Sequence, residues 1–166
     1  MKTEVCEYKD GDVALRGYLA YDDAKAGKRP RIIVMPETFG LGAQAKRRAE
    51  MLAGLGYVAL AGDPYGDGVE VTNLQEAINR AGAIFADPAK ARQRVRAALD
   101  RLASVAQVDT SRMASMGYCM GGGLSLEARA LESAGAAAWC RTADWRGSFL
   151  RRRAGEGQGA GVHWRR

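Results

Sequence analysis

Met113-Ala114-Ser115-Met116-Gly117-Tyr118-Cys119-Met120-Gly121-Gly122 decides the reading of this 166-residue chain. A short apolar segment, Met113 to Met116, runs straight into Gly-x-Cys-x-Gly, the cysteine form of the nucleophile elbow. In that motif a strand ends, the chain turns sharply and a helix begins, with the nucleophile at the apex. Glycines two residues before and two after are required because the strained turn has no room for a Cβ. The helix dipole and free N–H groups at the apex favour a thiolate at Cys119. A buried structural thiol is the plainer alternative for a lone cysteine; the flanking glycines and the preceding strand favour a nucleophile. The expected chemistry is acyl transfer.

Working outward, the same alternation of strand and helix recurs upstream. Val5 to Tyr8 and Val13 to Tyr21 are rich in β-branched and aromatic residues, and Asp10-Gly11-Asp12 between them is a tight-turn signal, so a hairpin is expected. Arg31-Ile32-Ile33-Val34-Met35-Pro36 reads as a strand buried on both faces. Ala43 to Leu55 has helical spacing, with Ala45, Ala49, Leu52 and Ala53 inward and Lys46, Arg47, Arg48 and Glu50 outward. Gly54 and Gly56 stop it, and Tyr57 to Ala61 is a second buried strand. Gly62 to Gly68 is a loop; lacking G-x-x-x-x-G-K-[ST], it is not a phosphate loop. Asn73 to Phe85 reads as a helix capped by Asn73. Asp87-Pro88 opens another, to about Val105, with Val95, Leu99 and Leu102 on its core face. Thr110 to Met116 is the strand entering the elbow and Gly121 to Ala130 the helix leaving it. The fold class expected is α/β, a mostly parallel sheet with helices on both faces.

Past Ala130 this periodicity stops. Residues 1–128 carry 17 Lys+Arg against 16 Asp+Glu, whereas residues 129–166 carry 8 Arg against 3 acidic residues. The basic character of the chain, net +6, therefore belongs to its tail, together with Trp139, Trp145, Trp164 and the one histidine, His163. Ala134 to Ala138 is featureless, and Arg151-Arg152-Arg153 with Gly155 to Gly161 reads as linker-like or disordered. No strand is expected here. A stretch rich in Arg, Gly and Trp is what a GC-rich gene yields in a shifted frame, and that origin is expected for residues 131–166.

Composition narrows the function classes. No apolar run approaches the roughly 20 residues that span a bilayer, and Met1-Lys2-Thr3-Glu4-Val5 has no signal-peptide pattern. Cys6, Cys119 and Cys140 are too few and too scattered for a disulfide framework, so a cytoplasmic location is expected. The Arg-Trp tail offers charge and stacking for RNA, but no nucleic-acid-binding module accompanies it.

Three spaced motifs then resemble one family. Pro36-Glu37-Thr38-Phe39-Gly40 follows one strand, Gly62-Asp63-Pro64-Tyr65-Gly66-Asp67-Gly68 follows the next, and the third is the elbow. With Arg48-Ala49-Glu50-Met51-Leu52-Ala53 and Gly56-Tyr57-Val58-Ala59-Leu60, they make residues 3–130 similar to dienelactone hydrolases, a branch of the α/β-hydrolases. The resemblance implies a truncated α/β-hydrolase fold over residues 1–130, with residues 131–166 as a separate basic tail. It implies hydrolysis of a small-molecule lactone or carboxylic ester by a Cys-His-Asp triad, without metal or cofactor. By motif, Cys119 is the nucleophile and Glu37 the carboxylate that helps ionise it. The backbone N–H groups of Thr38 and Met120 form the oxyanion hole.

Two departures accompany the resemblance. Gly66 and Asp67 stand where dienelactone hydrolases carry a carboxylate-binding arginine, which leaves a related ester or lactone open as substrate. The triad Asp and His lie in the family beyond the elbow. Here the only candidates are Asp144 and His163, both read more simply as solvated tail residues. Cys6 and Cys140 are expected to be inert. The alternatives to an impaired lactone or ester hydrolase are a non-catalytic remnant and a basic-tailed RNA-binding protein; oligomeric state is not legible.

Overall fold

The computed structural model describes residues 1–132 and 139–143. Two strands, β1 (Lys2–Asp10) and β2 (Val13–Tyr21), form the expected hairpin, antiparallel with Asp10 opposite Val13. Gly11 sits in the turn at φ 57°, a conformation that favours glycine. Next come β3 (Arg29–Met35), α1 (Ala43–Gly54) and β4 (Val58–Ala61). After them follow α2 (Leu74–Phe85), α3 (Pro88–Ala103), β5 (Val108–Tyr118), α4 (Met120–Glu132) and β6 (Trp139–Ala143).

The six strands form one sheet in the order β1-β2-β4-β3-β5-β6. β4, β3, β5 and β6 run parallel, and the hairpin is added antiparallel at the β4 edge. Alternation along β3 shows how both faces are filled. Ile32 and Val34 join Ala45, Ala49 and Ala53 of α1 on one face. Ile33 and Met35 join Val95, Leu99 and Leu102 of α3, Ile84 of α2 and Leu124 of α4 on the other. Helices thus cover both faces of a mostly parallel sheet, as the strand–helix alternation requires.

The helix starts follow the capping signals. Asn73 accepts the N–H of Glu76 at 3.0 Å. Asp87 accepts those of Ala89 and Lys90 at 3.0 and 3.1 Å, with Pro88 at the first helical turn. A cap of this kind contributes about 1 kcal/mol.

One expectation is corrected. The sequence beyond Ala130 gave no reason to expect a strand, yet α4 continues to Glu132 and Trp139–Ala143 pairs parallel with β5, Ala114 opposite Trp139 and Tyr118 opposite Ala143. A five-residue strand without alternation has no periodic signature; the free edge of β5, set by tertiary structure, specifies it. The sheet therefore runs past the boundary placed at residue 130. The readings that fell on residues 144–166, Asp144 and His163 included, lie outside the described residues, as do residues 133–138.

Candidate active site

Parallel pairing sets Met35, the last residue of β3, level with Gly117 of β5. The loops leaving these strands are therefore neighbours at the carboxyl end of the sheet, where open α/β sheets form their clefts. Cys119 stands between β5 and α4 at φ 51°, in the left-handed region. For a residue other than glycine that conformation costs about 1–3 kcal/mol, and it persists only where the surroundings over-determine it. Here they do. A Cβ at Gly117 would collide with the backbone of Gly121, and a Cβ at Gly121 would collide with the carbonyl groups of Met35 and Pro36. Strand, turn and helix interlock at two positions where no Cβ fits. The Cys119 thiol is exposed at the start of α4, and its carbonyl accepts the N–H of Gly122 at 2.9 Å.

The loop after β3 faces it. Thr38 Oγ1 lies 3.4 Å from Cys119 Sγ. Glu37 is half-buried beside Thr38 in the same loop, and its carbonyl accepts the N–H of Gly40 at 3.0 Å. Gly40 adopts φ 84°, and a Cβ there would strike the carbonyl of Val69. Two backbone bonds, Leu41 N–H to Val69 and Val71 N–H to Phe39, tie this loop to the segment entering α2.

The loop after β4 is built around a carboxylate. Asp63 is 1% exposed. Its Oδ1 accepts the N–H groups of Tyr65 and Gly66 at 3.0 and 2.9 Å, and its Oδ2 those of Arg16 and Gly68 at 2.9 and 2.7 Å. The Asp63 N–H donates to the Tyr8 hydroxyl at 2.9 Å; burial pushes that phenol well above its usual pKa. The loop presents Tyr65, whose hydroxyl donates to the Thr38 carbonyl at 2.7 Å and lies 3.4 Å from Met120 Sδ. Burial raises the Tyr65 pKa to about 12, so the phenol stays protonated at neutral pH. The Arg80 guanidinium, paired with Glu76 at 2.8 Å, sits 5.9 Å from the centre of the Tyr65 ring.

The structure brings together Cys119, Thr38 and Met120, with Glu37 in the same loop as Thr38. Sequence reading missed Asp63 and Tyr65 as parts of the site. Their signal was the motif Gly62-Asp63-Pro64-Tyr65-Gly66-Asp67-Gly68 between a strand and a helix, one of the three that carry the family resemblance, which gave neither residue a role. Among the described residues no group of three or more His, Cys, Asp and Glu could hold a metal ion, and no helix is long and apolar enough to cross a membrane.

Exposure separates the thiols. Cys6 is 1% exposed in β1, and burial raises its pKa, which lowers its thiolate fraction; Cys119 is exposed. Alkylation requires an accessible thiolate. Limiting iodoacetamide on the native chain is expected to label Cys119 about tenfold faster than Cys6, because the Cys6 thiol is buried and that of Cys119 is exposed. Peptide mapping reads the ratio, and equal labelling would contradict the folded elbow.

The dienelactone hydrolase family model matches residues 15–148. This chain belongs to the dienelactone hydrolase family. The match runs past residue 130, where the motif-based resemblance stopped, and takes in β6. A proposed carboxymethylenebutenolidase of Methylorubrum extorquens is 33% identical over 102 residues, 60% of this chain and 35% of that protein. One from Yersinia pestis is 32% identical over 114 residues, 65% of this chain and 41% of that protein. Among solved structures, m3DLH is 39% identical with a TM-score of 0.79, over 86% of this chain and 59% of that one. A dienelactone hydrolase-like promiscuous phosphotriesterase from metagenomic libraries is 36% identical with a TM-score of 0.78, over 90% of this chain and 60% of that one. The chain thus spans well under half the length of these curated relatives and about three-fifths of these solved ones. These likenesses place the chain in a hydrolase family with the α/β fold.

Proposed function

We propose that this chain attacks a small lactone or carboxylic ester through Cys119. The observation that carries the reading is the conformation of Cys119: φ 51°, exposed, interlocked between Gly117 and Gly121, and facing Thr38. A strained, solvent-facing thiol held at a helix start is costly to maintain for packing alone.

In the proposed reaction the Cys119 sulfur adds to the carbonyl carbon. The carbonyl π pair moves to oxygen, and the N–H groups of Thr38 and Met120 stabilise the resulting oxyanion. Each such donor contributes about 3–4 kcal/mol in hydrolases where one has been removed. Glu37 takes the thiol proton. Collapse of the tetrahedral species expels the alkoxide, which remains tethered when the substrate is a lactone, and leaves a thioester on Cys119. Water then releases the acid. Deacylation requires water to be activated by a base, and in the proposed scheme it is the slower step, so acylation outruns turnover. No cofactor or metal enters the scheme. The free thiol also fits a reducing cytoplasm.

The test is to incubate the chain with p-nitrophenyl acetate, quench in acid and map the peptides by mass spectrometry. One acetyl group on the peptide containing Cys119 supports the proposal. Acetylation spread over lysines with Cys119 unmodified would overturn it.

A further inference from the structure

We propose that Tyr65 is a positioning residue whose hydroxyl ties together the two sides of the oxyanion hole, fixing Thr38 and Met120 relative to Cys119. The inference rests on the reading of Cys119 as nucleophile and adds a residue to that site.

Thr38 lies in the loop after β3 and Met120 opens α4 after β5, so the two proposed donors stand more than eighty residues apart in sequence. Tyr65 comes from a third loop, after β4, and its hydroxyl reaches both: 2.7 Å from the Thr38 carbonyl oxygen and 3.4 Å from Met120 Sδ. The bond to the Thr38 carbonyl restrains the peptide plane that follows Thr38. The same residue places its Oγ1 3.4 Å from Cys119 Sγ.

Tyr65 is itself held firmly. Its N–H donates to the buried Asp63 carboxylate at 3.0 Å. Its ring lies against Gly40, where an added Cβ would come within 3.2 Å of it, and Arg80 stands 5.9 Å from the ring centre. The phenol remains an O–H donor across neutral pH. Rigid support of this kind matters because donors must meet the oxyanion within a few tenths of an ångström. The hydroxyl acts through Thr38 and Met120 and not on the reacting atoms.

Tyr65→Phe removes one oxygen and keeps the ring. With p-nitrophenyl acetate at saturation, the rate constant of the p-nitrophenol burst is expected to fall about tenfold. That is a fraction of the 10²–10³ that follows outright removal of a donor. The half-saturating ester concentration should change less than about twofold, because the ground-state carbonyl makes little use of the hole. Iodoacetamide provides the second readout. Its displacement at a saturated carbon forms no oxyanion, so alkylation of Cys119 should stay within about twofold of the native rate.

A burst unchanged by Tyr65→Phe overturns the proposal. So does alkylation of Cys119 slowed in parallel with the burst, which would mean that the hydroxyl acts on the thiol. Equal labelling of Cys6 and Cys119 in the variant would show that the hydroxyl holds the fold and not the site, and also overturns it. A Cys119→Ala chain run alongside separates the two claims. A burst that survives Cys119→Ala sinks the nucleophile reading; one lost there but untouched by Tyr65→Phe sinks only the role of Tyr65.

Discussion

Cys119→Ala is expected to abolish the burst of p-nitrophenol that the proposed acylation would give with p-nitrophenyl acetate. The native burst should approach one equivalent per chain and then give way to slow turnover. An alanine at the elbow keeps the strand, the turn and the helix start but offers no electron pair to the carbonyl. In a hydrolase of comparable design, loss of the nucleophile lowers turnover on the order of 10⁶-fold. For this chain that places the variant at the background rate of ester hydrolysis. Cys119→Ser is expected to retain a trace of burst, because the same turn accepts either nucleophile. The thermal midpoint of Cys119→Ala should stay within about 2 °C of the native value, since an exposed side chain is removed. A full native burst from Cys119→Ala would remove the basis for acyl transfer at this site.

Asp63→Ala is expected to be the most damaging single substitution for stability near the site, at about 3–5 kcal/mol by urea unfolding. Four backbone N–H groups lose their acceptor together, from Tyr65, Gly66, Arg16 and Gly68. Hydrogen bonds to a charged acceptor contribute about 1.5–3 kcal/mol each, but neighbouring bonds in one network do not add fully. Asp63→Asn should recover only part of the loss. Its single carbonyl oxygen can serve either the Tyr65 and Gly66 pair or the Arg16 and Gly68 pair, and its NH₂ group then faces the other two donors. A loss below about 1 kcal/mol for Asp63→Ala would mean that the loop is held by something other than this carboxylate.

Most of the framework was legible because its signals are local. The Asp10-Gly11-Asp12 turn, the Asn73 and Asp87 caps and the apolar spacing of Val95, Leu99 and Leu102 each depend on a few neighbouring residues, and each element lies where they place it. The elbow was legible for the opposite reason: its glycines answer to one steric demand that few other motifs share. What stayed hidden depends on contacts distant in sequence. Trp139–Ala143 is a strand because β5 offers an edge, and nothing in those five residues announces it. Asp63 stood in a recognisable motif, but its role as an acceptor did not show, because the N–H group of Arg16 reaches it from a strand 47 residues away. The hydroxyl of Tyr65 meets Thr38 27 residues away and Met120 55 residues away, distances over which no pattern of spacing can be read.

The separation of Thr38 and Cys119, 81 residues along the chain, also bears on how the molecule assembles. The β1–β2 hairpin closes a two-residue turn and needs nothing else to begin forming. β3 and β5 can pair only after a loop of more than seventy residues has closed, an entropic cost that grows with the logarithm of loop length and comes due before their contacts can repay it. The thiol acquires its neighbour only at that closure. During refolding, enzyme-like reactivity should therefore emerge with the central strands and lag behind the hairpin, so the chemistry of Cys119 serves as a clock for the slowest pairing in the sheet.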